Sequence, residues 1–218
     1  QTPQGFTIEN GIIVPQDWFA IVFNPSFPYR LAHMAMAAFL VSALLVAATA
    51  AFHLLKGRRD ALVKKSFSMA MWMILALAPL QMFIGDMHGL NTLEHQPAKL
   101  AAIEGHWETN KDHGMPLYLF GIPDMQAEET KYAIGIPNLG SLIMTHTLDG
   151  EVKGLKEFAP EDRPNSLVVF WSFRIMVGLG VLMILMAILG VWLRKTGKFY
   201  DSVWLHKFAL YMGPSGFI

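Results

Sequence analysis

The sequence predicts an all-α membrane protein: a fragment of a polytopic transmembrane helix bundle that carries a long periplasmic loop. Hydrophobic residues make up 53% of the chain and charged residues only 16%, the balance of a membrane protein rather than a soluble domain. Apolar runs recur that are long enough to cross a hydrocarbon core of about 30 Å. Short basic clusters follow the first and third runs: Lys56, Arg58, Arg59, Lys64 and Lys65, then Arg194, Lys195 and Lys198. Short connections rich in Lys and Arg belong inside. The N-terminus and the stretch between the second and third runs therefore face outward, which in a bacterium is the periplasm.

Residues 1–26 alternate Gly, Pro and Asn with short apolar pieces and suit an interfacial segment, with Trp18 and Phe19 at headgroup depth. Ser26 followed by Pro28 starts a helix, because proline loses nothing where the first N–H groups lack partners anyway. Residues 27–84 hold two transmembrane helices, about 27–55 and 67–84, joined by a basic cytoplasmic turn. Residues 85–166 form the periplasmic loop. It keeps Trp107, Leu117, Tyr118, Phe120, Ile122, Tyr132 and Ile134, too many large apolar groups for a solvated tail. Residues 167–218 hold the third transmembrane helix, to about 191, and the start of a fourth at Trp204 to Tyr211. The chain begins with Gln1 and stops soon after this last apolar segment opens, so a piece of a longer membrane protein is expected.

The formal net charge is zero, which implies no nucleic-acid partner; lipid and further helices are the expected neighbours. There are no cysteines, hence no disulfide framework and no thiolate metal site.

Inside the spans two ionisable groups stand out, His33 in the first and Arg174 in the third. Such groups are costly in hydrocarbon and are functional hypotheses by default. Counting 1.5 Å per residue, His33 lies about 10 Å, and Met176 about 15 Å, below the outer helix ends. A histidine and a methionine at matched depth can be the axial pair of a low-spin haem. Ala37 and Gly180, each four residues on, leave the clearance a flat macrocycle needs. Small residues also serve ordinary helix packing, and methionine, present 14 times here, is a generic gap filler. Arg174 lies about 200° around the helix from Met176. It is free to reach a haem propionate, another cofactor or another subunit, and its charge would favour a reduced iron nearby.

In the loop, Pro97 opens a short helix over residues 98–107. Lys99 and Glu104 sit on it about 140° apart, so they do not form a surface pair with each other. A carboxylate at the membrane surface can take protons from a reduced quinol, and a lysine can hold a carbonyl oxygen. A solvated helix face would carry the same residue types. Asp86, just past the second span, and His88 or His95 are further candidate proton carriers.

Particular residues resemble a known family. Gly85-Asp86, the run Gln96-Pro97-Ala98-Lys99-Leu100-Ala101-Ala102-Ile103-Glu104, and Trp107-Glu108-Thr109 resemble the quinol-binding loop of subunit I of cytochrome bd quinol oxidases. Phe120-Gly121-Ile122-Pro123-Asp124 resembles the next piece of that loop. Phe173-Arg174-Ile175-Met176-Val177 resembles the helix that supplies one haem ligand, and the segment around His33 the helix that supplies the other. The matches cover nearly all of this chain but only the middle of the family subunit. The loop is short, like that of the cyanide-insensitive branch.

The resemblance implies His33 and Met176 as axial ligands of a low-spin haem b, with Arg174 as the neighbouring cation. It implies Lys99 and Glu104 as the quinol-site pair, with Asp86 close by. The high-spin haem b and the haem d of the whole subunit would be liganded elsewhere. A second oxidase subunit and the remaining helices are implied partners, the bacterial inner membrane the implied location. The expected function is oxidation of quinol at the outer face and transfer of its electrons to the low-spin haem of a quinol:oxygen oxidoreductase. The rival is a non-redox transporter or scaffold in which Arg174 and His33 line a polar pathway.

Overall fold

The computed structural model describes residues 2–111 and 113–217; Gln1 and Ile218, the outer limits of the predicted segments, lie outside the described residues. In chain order the elements are β1 (Phe6–Glu9), β2 (Ile12–Pro15), α1 (Trp18–Val22), α2 (Phe27–Leu55), α3 (Ala61–His95), α4 (Pro97–Glu104), β3 (Leu117–Asp124), β4 (Glu129–Ile136), α5 (Leu139–Thr145), α6 (Ser166–Lys195) and α7 (Val203–Met212). The fold is mostly helical, and α2, α3 and α6 are long and apolar enough to cross a membrane. The first span has the bounds the sequence predicts.

The second span differs from expectation. It starts at Ala61 and runs to His95, so the first stretch of the expected loop is a continuation of the helix. Polarity ends a membrane span but does not end a helix. Gly85-Asp86 and the Asn91 turn remain helical because no proline follows until Pro97. The loop also departs from an all-helical picture. β3 and β4 pair antiparallel, with register irregularities between Tyr118 and Ile122. A second hairpin joins β1 and β2 through Asn10-Gly11, both at positive φ (54° and 79°), the two-residue turn that matches strand twist.

The chain divides into two compact units. One comprises residues 29–85 and 176–218. Its core is Leu44, Ala47, Ala51, Phe67, Ile74, Met186, Ala187 and Leu205. The alanine stripe of α2 lets helices approach closely, which is how packing compensates where lipid supplies no hydrophobic drive. A Cβ on Gly190 would come within 2.7 Å of Met71 Cε, and one on Gly213 within 2.6 Å of Ala48 Cβ. The two basic clusters meet in this unit. Arg59 pairs with Asp201, and Arg194 donates to Ser68 Oγ (2.9 Å) while lying 3.7 Å from the centre of the Phe199 ring.

The other unit comprises residues 1–28 and 86–175 and holds the loop. It is ordered by two small apolar clusters, Leu100, Met115, Met144 and Val152, and Ala101, Ala102, Trp107 and Leu155. Polar staples add to them. Asn110 donates to the carbonyls of His113 (2.8 Å) and Gly150 (2.9 Å) and accepts from the Val152 N–H (2.8 Å).

Candidate functional site

The site is built at the C-terminal end of α4. Pro97 opens the helix, and Gly105, left-handed at φ 68°, closes it. A helix end leaves carbonyls without partners, and here other elements supply them. Ser166 Oγ donates to the Ala102 carbonyl (3.1 Å), Arg174 Nη1 to that of Ile103, and Thr130 Oγ1 to that of Gly105 (2.6 Å). Trp107 Nε1 donates to the same Thr130 hydroxyl at 3.2 Å. Gly105 has no substitute, since a Cβ there would lie 2.9 Å from the Phe170 ring.

Fixed this way, Glu104 points inward and is 1% exposed. Its Oε2 accepts from Arg174 Nη2 at 3.1 Å. The same guanidinium donates from Nε to the Tyr118 carbonyl (2.9 Å) and lies 3.6 Å from the centre of the Phe170 ring. One arginine therefore joins α6, α4 and β3. Burial pushes the Glu104 carboxyl above its ordinary range, and the attraction and hydrogen bond of Arg174 only partly offset it. Oε1 is buried with no hydrogen-bond partner among the described residues.

His106 lies two residues on and is also buried. Its Nε2 is 3.0 Å from the Pro116 carbonyl oxygen, which can only accept, so Nε2 carries the proton and Nδ1 the lone pair. The imidazole stacks on the Tyr118 ring, with centroids 4.9 Å apart and planes at 9°. Burial lowers the imidazole pKa and nearby Arg174 lowers it further, while the Pro116 bond works the other way. Burial raises that of Tyr118.

The structure thus brings Glu104 and Arg174 together. Lys99 and Asp86 do not join them: both are exposed, and among the described residues neither side chain forms a hydrogen bond or ion pair. Glu104 is not part of a solvated helix face, the alternative its sequence left open. His95 Nδ1 lies 3.0 Å from the Asn91 carbonyl oxygen of its own helix, and His88 is half-buried on α3. The Arg174–Glu104 pair and His106 are absent from the sequence reading. One signal existed for the pair: an arginine within an apolar span needs an anion, and the loop offers few acids beside apolar residues. No pattern singled out His106.

Residues 1–218 match the family model described as cytochrome bd terminal oxidase subunit I. The chain belongs to this family. It is 35% identical over 215 residues to the cytochrome bd ubiquinol oxidase subunit 1 of Bacillus subtilis (strain 168), covering 94% of this chain and 45% of that protein. It is 26% identical over 261 residues to the cytochrome bd-II ubiquinol oxidase subunit 1 of Escherichia coli (strain K12), covering 89% of this chain and 50% of that one. A solved structure of bd oxidase from Geobacillus thermodenitrificans superposes with a TM-score of 0.83 at 33% identity, over 99% of this chain and 48% of that chain. The chain spans about half the length of these relatives.

A subunit I of the bd family implies haem, and the residues present can be tested for fit. The His33 ring edge faces Gly85 of α3, where a Cβ would lie 3.3 Å from Cε1, so the glycine leaves room for the imidazole. Gln81, one turn earlier on α3, donates to the His33 carbonyl at 3.1 Å and fixes the backbone there. Met176 is 50% exposed, and a Cβ on Gly178 or Gly180 would meet nothing within 4 Å. An exposed thioether beside an open helix surface and a histidine seated on glycine fit a flat group of this kind.

Proposed function

We propose that this chain is the quinol-oxidising part of a membrane quinol:oxygen oxidoreductase of the bd type, in the bacterial inner membrane with its loop on the periplasmic side. The observation that carries the reading is the buried Glu104 carboxylate. One oxygen is held by Arg174 and the other has no partner among the described residues, in a loop clamped at its helix end by three side chains from α6 and β4.

A quinol must lose two protons and two electrons to become a quinone. Glu104 Oε1 is the acceptor for one hydroxyl proton. A carboxyl held above its ordinary range is a better base at neutral pH than a free one, the direction in which enzymes tune such groups. Arg174 fixes the orientation of Oε2 and limits how far the carboxyl can rise. Lys99, whose ammonium is exposed at the start of α4, is assigned the other end of the ring as a donor to its oxygen. Asp86 on α3 is assigned an outer role in carrying protons away. His33 and Met176 would hold a low-spin haem b, which when bound supplies a one-electron acceptor. The rest of the subunit, with its high-spin haems, and a second subunit are the implied partners.

The scaffold reading needs Arg174 to line an open polar path. Its three donor nitrogens are instead engaged by Tyr118, Ile103 and Glu104, which weighs against it. The test is oxidation of quinol by the Glu104→Gln oxidase, compared with oxidation of an artificial donor that reaches the haem directly. Loss of a positioned base predicts a drop of about 10² to 10⁴ with quinol and none with the artificial donor. Equal loss with both makes Glu104 a structural residue and removes the quinol-site assignment.

A further inference from the structure

The assignment of Glu104 leaves one quinol proton without an acceptor, and the geometry beside it offers a second base. His106 follows Glu104 by two residues across the left-handed Gly105, and both side chains are buried. Its ring is held at one nitrogen and on one face. Nε2 is committed to the Pro116 carbonyl, one face lies on Tyr118, and its backbone N–H and C=O bond to the Ala101 carbonyl and the Leu155 N–H. Tyr118 in turn presents its carbonyl to Arg174, the residue that holds Glu104. A histidine needed only to satisfy the Pro116 carbonyl would use one donor; this arrangement also fixes the tautomer and leaves Nδ1 with a basic lone pair.

We propose that His106 is the second proton acceptor of the site, taking a quinol hydroxyl proton at Nδ1 and passing it outward through the loop. This rests on the quinol reading of Glu104. The balance closes. The two O–H bonds of the quinol break, one proton goes to Glu104 Oε1 and the other to His106 Nδ1, and the two electrons would be accepted singly by the haem that His33 and Met176 would hold. The imidazolium then gives its proton to water and returns to the neutral tautomer. Among the described residues, Arg174 on α6 and Tyr118 on β3 act on the His106 ring, and Glu104 precedes it by two positions on the chain. Arg174 disfavours a lasting imidazolium, and burial does the same. The proton is therefore handed on rather than stored.

The test uses the intact oxidase. His106→Gln keeps an N–H for the Pro116 carbonyl but cannot titrate. It should lower kcat for quinol about 10²-fold, leave the rate with an artificial electron donor unchanged, and remove the acid limb of the kcat–pH profile attributable to the imidazole. A wild-type rate and profile in His106→Gln overturns the proposal, and so does equal loss with both donors. If the variant does not assemble, the wild-type acid limb decides. Its apparent pKa must shift with temperature as an imidazole's does; a temperature-independent limb, as for a carboxyl, overturns the proposal. Glu104→Gln is run in parallel. A slow Glu104→Gln beside a normal His106→Gln removes this inference alone, whereas normal rates in both remove the quinol site itself.

Discussion

Arg174 is the residue where the physics is least forgiving. Its side chain and that of Glu104 are 12% and 1% exposed, so each charge depends on the other. Breaking such a pair by removing one partner typically costs about 3–5 kcal/mol, because the remaining charge stays buried and uncompensated. Arg174→Gln should therefore lower thermal stability of the oxidase by that order. It should also slow quinol oxidation, since a Glu104 carboxyl without its cation rises further and loses the group that orients Oε2. Arg174→Lys keeps the charge but not the planar fork that reaches Tyr118, Ile103 and Glu104, and should recover only part of the loss. Unchanged stability and rate in Arg174→Gln would mean the pair does not govern the site. That Arg174 needs a partner was legible from the cost of ionisable groups in apolar helices. The partner of Arg174 was not, because Glu104 lies 70 positions away and nothing local encodes that contact.

At the scale of elements, the long helices were legible because apolar length is a strong signal, and α2 begins and ends where composition changes. The strands of the loop were not. Gly121 and Pro123 interrupt β3, and both residues ordinarily argue against a strand interior. Here Gly121 is required by closeness, since a Cβ would sit 2.7 Å from Thr130 Cγ2. The hairpin turn is held by Asp124. Oδ1 accepts from the N–H groups of Gln126 and Ala127 (2.9 and 3.1 Å), and Oδ2 from Lys131 at 2.6 Å. The Lys131 bond, then those backbone donors, lower the Asp124 pKa from 3.8 to about 2. A carboxyl depressed in the folded state stabilises it fully above its ordinary value, and that contribution fades as pH falls through the window from 3.8 to about 2. Limited digestion with pepsin should show the turn opening across this window in the wild type, and Asp124→Asn should be cut equally at every acid pH. A wild-type turn that stays closed through pH 2 would remove Asp124 as its lock.

At the scale of the whole molecule, the membrane-helix class was readable from apolar composition and the length of the apolar runs. The basic turns after the first and third spans meet through Arg59–Asp201 and Arg194–Ser68, as expected of two clusters on one membrane side. What the sequence could not give is how the loop of residues 85–166 closes over one carboxylate, since the loop's order comes from contacts between distant segments. The central claim is that electrons enter at this closed loop and reach the His33/Met176 haem only when Glu104 can take a proton. Rapid mixing of the purified oxidase with quinol, followed at the low-spin haem b absorption band, tests it directly. The account predicts fast reduction in the wild type. In Glu104→Gln it predicts the same band in full on adding dithionite, but appearance at least about 10² times slower with quinol. A Glu104→Gln haem that quinol reduces at the wild-type rate, or a wild-type protein with no such band, would contradict it.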